Sequence, residues 1–360
     1  MKNKRKIVSL AVHAFLSCGI TEPALKKKIV IINFHRIRSG PDCSCPFDDE
    51  VFGPTASEFR RILVWLSRRA KILSEEQLLG YLDSGSIPSG LKAMITFDDG
   101  YADQHRVAFP ILRELGIPAV FFIPTDFINR RRLGWWDHVA YIVKNSSADS
   151  LVFEGRRFRL PEERREAIRL IQTSLQYLAP REIADTIHAL SNRCRAAVPG
   201  ADVQGRELMT WEQIRELSDS GMAIGSHTHT HPILSEIDPL PQEDEMLRSK
   251  RTIGRRIGKA PLLISYPVGG YRHISRQTVV AAERTGYRAG FTFNTGINTA
   301  GSLERFTMRR IAGNSDITMF TSSLLFPEFF TWSRKAPSDT GSPYAVTIRQ
   351  LRSSLSRSRP

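Results

Sequence analysis

Met94-Ile95-Thr96-Phe97-Asp98-Asp99-Gly100-Tyr101 is an apolar run that stops on two adjacent carboxylates and a glycine turn. The same grammar recurs along the chain. Ile29–Phe34, Ala119–Ile123, Met222–Ser226, Leu262–Tyr266 and Tyr287–Phe293 read as further strands. Helical patterns lie between them, at Ser57–Arg69, at Val107–Leu115 before Gly116, and from Thr210 to Ser220 before Gly221. Thr210-Trp211-Glu212-Gln213 has the residue types of a capping box. Continuous apolar strands alternating with helices predict a parallel sheet, and six or seven such units predict an α/β fold, a distorted (β/α) barrel of about seven units. Leu133–Leu208 breaks the rhythm with helical patterns at Pro161–Leu178 and Arg181–Ala197, and reads as a helical insertion. The expected division is a segment 1–28, a barrel 29–330 holding the insertion 133–208, and a basic, Ser- and Pro-rich tail 331–360.

The 360 residues suffice for a barrel-sized domain, and 41% hydrophobic with 24% charged residues is ordinary for a globular chain. The net charge of +14 would draw nucleic acid, anionic lipid or acidic glycan alike. The arginines are scattered, however, and no nucleic-acid-binding signature accompanies them, so no nucleic-acid partner is expected. Cys18, Cys43, Cys45 and Cys194 form no disulfide framework and lack zinc-finger spacing. Free thiols imply a reducing compartment. Lys2–Lys6 is basic, and Ile7–Ile20 is too short to span a bilayer and lacks a clean cleavage site. An amphipathic helix making peripheral membrane contact is the favoured reading, and a cytoplasmic or membrane-peripheral location is favoured over export.

A second segment supplies nitrogen ligands: His227-Thr228-His229-Thr230-His231-Pro232 follows the apolar run Met222-Ala223-Ile224. One carboxylate with two imidazoles leaves room for water, the open arrangement of a catalytic metal site, and the second aspartate is then available as a base. In a parallel barrel, functional residues gather where strands end. His35 after Ile29–Phe34 and Pro267-Val268-Gly269-Gly270-Tyr271 after Leu262–Tyr266 share that placement. Asp-Asp-Gly turns and His-Pro loop closures are common singly; four strand ends delivering polar or turn residues together are not explained that way.

These residues resemble the motifs of the polysaccharide deacetylase family, the NodB-homology domains of carbohydrate esterase family four. Thr96–Tyr101 and Ser226–Pro232 look like its first two motifs, and Asn33-Phe34-His35-Arg36-Ile37 like the opening of one branch. Gly134-Trp135-Trp136-Asp137, Leu208–Trp211 and Phe306–Ile311 are also similar in order and spacing, so that the likeness runs from about Ile29 to about Phe326. It implies a metal-dependent hydrolase that removes N-acetyl groups from glycans containing N-acetylglucosamine, polymeric or lipid-linked. It also implies that Asp99, His227 and His231 hold a divalent cation, most simply Zn²⁺, and that Asp98 is the base. Tyr101, Trp135, Trp136, Pro267, Gly269 and Tyr271 are then assigned to the substrate, with an oxyanion-binding N–H near Gly269–Tyr271.

The chain departs from the pattern twice. The arginine usual before the proline of the third motif is absent, since Ile264-Ser265-Tyr266 precede Pro267. No late leucine-x-x-x-histidine motif is present either. Arg310 is the candidate to replace the arginine, facing inward while Arg309 faces out, and His35 the candidate acid or substrate contact. Three alternatives stay open: a three-histidine site using His229, an inactive glycan-binding domain of this type, and a non-haem iron oxygenase, whose facial triad uses the same ligands.

Overall fold

The computed structural model describes residues 27–40, 45–299, 304–313 and 320. Seven parallel strands follow one another around a barrel in chain order: β1 Lys28–Phe34, β2 Leu91–Phe97, β3 Ala119–Ile123, β4 Ala223–Ser226, β5 Leu263–Ser265, β6 Ala289–Thr295 and β7 Met308–Ala312. Closure comes from β1, which pairs with β2 along its whole length and with β7 at Ile32↔Ile311 and Asn33↔Ala312. A register shift between Phe291 and Thr295 distorts the β6–β7 seam. Around the barrel run α1 Ala56–Ser67, α2 Glu75–Ser84, α3 Phe109–Glu114, α4 Thr125–Arg130, α5 Trp135–Lys144, α6 Arg164–Leu175, α7 Pro180–Cys194, α8 Ala201–Glu207, α9 Trp211–Asp219, α10 Pro239–Ile257 and α11 Arg276–Arg284. No described helix is long and apolar enough to cross a membrane.

Side chains two apart on a strand share a face, and that period builds the site. Ile29, Ile31, Met94, Val120, Phe122, Phe291 and Met308 form one buried cluster with Leu73 and with Leu78, Leu79 and Leu82 of α2. Continuing the same faces toward the strand ends brings in Asn33, Thr96, Asp98 and Arg310, all buried. The barrel is therefore apolar over most of its length and polar at the end where the strands finish. The other faces, among them Val30, Ile32, Phe34, Ile95 and Phe97, pack under α1, α3 and α9 in a larger outer core.

Local signals explain the ends of several helices. Thr210 opens α9: its hydroxyl accepts the Gln213 N–H at 3.3 Å, and the Gln213 side chain accepts the Thr210 N–H at 2.9 Å. The helix expected at Val107–Leu115 begins instead as a π-helical turn, Gln104–Ala108, before α3. Gln104 anchors this turn: its amide donates to the carbonyls of His35 (2.8 Å) and Asp98, and the residue is fully buried.

Between Leu133 and Leu208 lie α5 to α8 and one element that the sequence reading missed, a hairpin of Ser150–Phe153 with Arg156–Arg159. Helices α5, α6 and α7 and this hairpin bury a second core, which also takes in Ile233 and packs against Val268. Those two residues belong to the loops after β4 and β5. The inserted segment thus buttresses the loops that carry His231 and Pro267. Cys194 is buried in this second core as a free thiol, and Cys45 is also free. Cys18, Cys43, almost all of segment 1–28 and the tail 331–360 lie outside the described residues.

Candidate metal centre and base

Asp99, His227 and His231 converge at the ends of β2 and β4. The backbone makes this possible: Asp99 has φ +73° and His231 φ +60°, with Thr228 at +63° between the histidines. Non-glycine residues seldom take the left-handed region, and such conformations cluster at functional sites. His227 Nε2 and His231 Nε2 each lie 3.4 Å from Asp99 Oδ1, and one ligand atom from each of the three residues lies within 4.8 Å of the others. Ligand atoms that share a tetrahedral zinc at its usual bond lengths lie about 3.4 Å apart.

The hydrogen bonding fits a cation as well. His227 Nδ1 faces the Ser265 carbonyl at 2.7 Å, an acceptor only, so the ring proton sits there and Nε2 turns its lone pair toward Asp99. Asp99 Oδ1 is buried and has no hydrogen-bond partner among the described residues. A buried, unpartnered carboxylate oxygen beside imidazole nitrogens is the donor set of a divalent cation site.

Asp98 is held in the opposite manner. Arg310 reaches in from β7 and donates from Nη1 to Oδ1 at 2.9 Å and from Nη2 to Oδ2 at 2.8 Å. Asn33 Nδ2 donates to Oδ2 at 3.1 Å, and Ser265 Oγ lies 3.4 Å from the same oxygen. Arg310 is fixed in turn by the Thr292 carbonyl (2.7 Å), Asn33 Oδ1 (2.7 Å) and Ser265 Oγ (2.9 Å). Burial alone would raise the Asp98 carboxyl, but Arg310, helped by His227 and His35, outweighs it and holds the group below the ordinary carboxylate range. Arg309 is exposed, as alternation along a strand requires. The small Ser265 stands just ahead of Pro267, where the family pattern has its arginine, and the guanidinium reaches it from across the barrel. Asn33 and Ser265 were missed in the sequence. The period of two along β1, in register with Ile29 and Ile31, was the signal that could have found Asn33.

His35 Nε2 and His227 Nε2 each stand 4.0 Å from Asp98 Oδ2, and the His35 side chain keeps a quarter of its surface open. Two residues expected at the substrate prove to be packing instead. Tyr101 is 1% exposed, donates its hydroxyl to Asp137 Oδ2 at 2.7 Å and accepts from Trp136 Nε1 at 2.8 Å. The Trp136 ring is buried against His231, with centroids 4.8 Å apart. Trp136 therefore packs behind His231, and Tyr101 behind Trp136, rather than facing a sugar. Of the N–H groups expected near Gly269–Tyr271, that of Gly269 is engaged with the Pro267 carbonyl and that of Gly270 with His273 Nδ1 at 3.2 Å, which leaves that of Tyr271 as the candidate. Trp135 is half-buried and Tyr271 is 58% exposed, so both have surface to offer. His229 turns away from the triad: its Nδ1 bonds Thr125 Oγ1 at 2.8 Å.

A family model for polysaccharide deacetylase matches residues 88–149 and 169–290, more than half of the chain. The chain belongs to the polysaccharide deacetylase family. YxkH of Bacillus subtilis (strain 168), designated a polysaccharide deacetylase, is 24% identical over 270 residues, which cover 75% of this chain and 66% of that one. The poly-β-1,6-N-acetyl-D-glucosamine N-deacetylase of Staphylococcus epidermidis is 28% identical over 115 residues, 29% of this chain and 38% of that one. This chain thus spans just under two thirds of the first relative's length and little more than a third of the second's. Among solved structures, the Streptococcus pyogenes deacetylase PplD in complex with acetate shares the fold at TM-score 0.53 and 20% identity, covering 82% of this chain and 96% of that one. IcaB from Ammonifex degensii does so at 0.52 and 16%, covering 83% and 97%.

Proposed function

We propose that this polysaccharide deacetylase is a metal-dependent de-N-acetylase of glycans containing N-acetylglucosamine. The observation that carries the reading is an uncommitted ligand set next to a fully held carboxylate, with Asp98 Oδ2 4.0 Å from His227 Nε2. Asp99, His227 and His231 would hold the cation, and their donor types suit zinc. When bound, a divalent cation there supplies Lewis acidity, lowering the pKa of water toward neutrality and polarising an acetamide carbonyl. Asp98 acts as the general base, taking a proton from water at Oδ2 as the water oxygen bonds to the carbonyl carbon. Arg310 keeps that carboxylate ionised and its oxygens aligned. As the C–N bond breaks, the amine needs a proton, and His35 Nε2, partly open and 4.0 Å from Asp98 Oδ2, is its donor. The products are acetate and the free amino sugar.

The N-acetylglucosamine assignment draws on the Staphylococcus epidermidis relative, whose name specifies that polymer. An arginine on the base supports turnover over the inactive alternative, and an ion-paired second carboxylate has no use in an iron oxygenase. Acetate release from poly-N-acetylglucosamine and from chitooligosaccharides tests the proposal. Release should stop with a chelator and return with a divalent metal. Undiminished release in chelator would refute metal dependence, and no release from any N-acetylated glycan would refute the activity.

A further inference from the structure

Away from the strand-end site, positive charge concentrates along the C-terminal half of α10. A cavity of about 860 Å³ runs there, lined among others by Asn129, His229, Arg248, Lys250, Arg251 and Arg255. A smaller one of about 400 Å³ adjoins it at Asn129, Thr252, Arg255 and Arg256. No carboxylate lines either cavity. Arg248, Arg251 and Arg255 stand at i, i+3 and i+7, one stripe of the helix.

Two of these cations are committed elsewhere. Arg248 pairs with Asp244 at 2.7 Å, and Lys250 donates to the carbonyls of Thr285 and Gly286 at the end of α11. Arg251 and Arg255 are exposed and have no hydrogen bond or ion pair among the described residues. Of the nearby acids, Asp126 is occupied by Arg130 and Arg132, Glu245 by the N–H groups of His229 and Thr230 and by the Thr230 hydroxyl, and Glu212, which feels Arg256, lines neither cavity. Cations with no acid to balance them give a concave surface a strong positive potential. Planar guanidinium forks match the oxygens of a phosphate, which they bind with paired charge-assisted hydrogen bonds. His229 and Glu245 join this groove to the loop that carries His227 and His231.

We propose that the α10 groove is a binding site for a phosphate group, held by Arg251 and Arg255. The phosphate can be carried by a soluble ester or by a lipid headgroup. This assignment rests on the groove alone and does not depend on the proposed activity.

Calorimetry of the full chain with glucose 1-phosphate, an ester that has no acetamide, tests the soluble source. Sedimentation with phosphatidylcholine vesicles, with and without phosphatidylglycerol, tests the headgroup. Each is compared in the wild type, in Arg251→Ser/Arg255→Ser, and in Arg165→Ser/Arg181→Ser. The last pair removes equal charge from exposed positions on the inserted helices. Saturable binding by the wild type in at least one arm, weakened about ten-fold or more by the α10 pair and less than two-fold by the control pair, supports the site. Binding to neither probe, or equal weakening by both pairs, overturns it.

Discussion

Asp98 and Asp99 are neighbours in the chain and both buried, yet they are held in contrary ways. Arg310, Asn33 and Ser265 engage both oxygens of Asp98, whereas Asp99 Oδ1 faces only the two imidazole nitrogens at 3.4 Å, without a hydrogen-bond partner among the described residues, and its backbone sits at φ +73°. An unpartnered buried carboxylate oxygen costs folding free energy. On the proposed reading, a chain that satisfies one carboxylate so fully and leaves the next one open completes its base at the folding stage and leaves its ligand set to be completed by a cation. The two corners share Ser265, whose carbonyl orients His227 and whose hydroxyl touches Asp98, and otherwise approach only at His227, whose Nε2 lies 4.0 Å from Asp98 Oδ2, beyond hydrogen-bond reach. They should therefore respond separately to mutation.

The largest expected effect falls on turnover. Asp98→Asn keeps a hydrogen-bond acceptor for Arg310 but cannot take a proton, so kcat for acetate release should fall by about 10²–10⁴-fold. The variant should bind metal as the wild type does; loss of metal with it would show that the two corners are one unit.

A large effect on stability is expected at Arg310. Arg310→Met leaves Asp98 charged and buried without its arginine, which should cost about 3–5 kcal/mol in urea unfolding. A cost below about 1 kcal/mol would mean that the pairing carries little of the base's environment.

A smaller, pH-dependent effect is expected behind the metal corner. Burial pushes the Asp137 carboxyl up to about 7, against the pull of Arg36 and Tyr101, and Asp48 beside it up to about 6. The unfolded chain releases these protons near pH 4. Stability tied to protonated Asp137 is therefore present below that pH and is lost as the pH rises to about 7. Asp137→Asn removes this loss, so the stability of the variant relative to wild type should improve between pH 4.5 and 7.5. Asp48 leaves a residual slope in both proteins. A relative stability that stays flat over this range would show that Asp137 is ionised throughout.

What could be read in the sequence divides along the same line as the site. Asp99, His227 and His231 were legible because each stands within a few residues of an apolar run that marks its strand. The surroundings of Asp98 were legible only at Arg310 and His35, because barrel closure brings Asn33 and Arg310 together across 277 residues. Strand β7 itself was hidden by Arg309-Arg310, a charged pair inside a strand whose second member is neutralised in the barrel interior. The hairpin Ser150–Arg159 was hidden by its arginine-rich second strand, although Glu154-Gly155, both at positive φ, form the kind of two-residue turn that hairpins favour. Tyr101 and Trp136 read as substrate contacts because a sequence does not show that Trp136 bonds Tyr101 and that Tyr101 bonds Asp137.

The central claim is that the unfinished corner is a cation site, and the most direct measurement is calorimetric titration of the chelator-stripped full chain with Zn²⁺. One equivalent should bind the wild type and His229→Asn alike, and saturable binding should be lost in Asp99→Ala and in His227→Ala. The absence of saturable binding to the wild type, or its loss in His229→Asn to the same degree as in Asp99→Ala, would contradict the account.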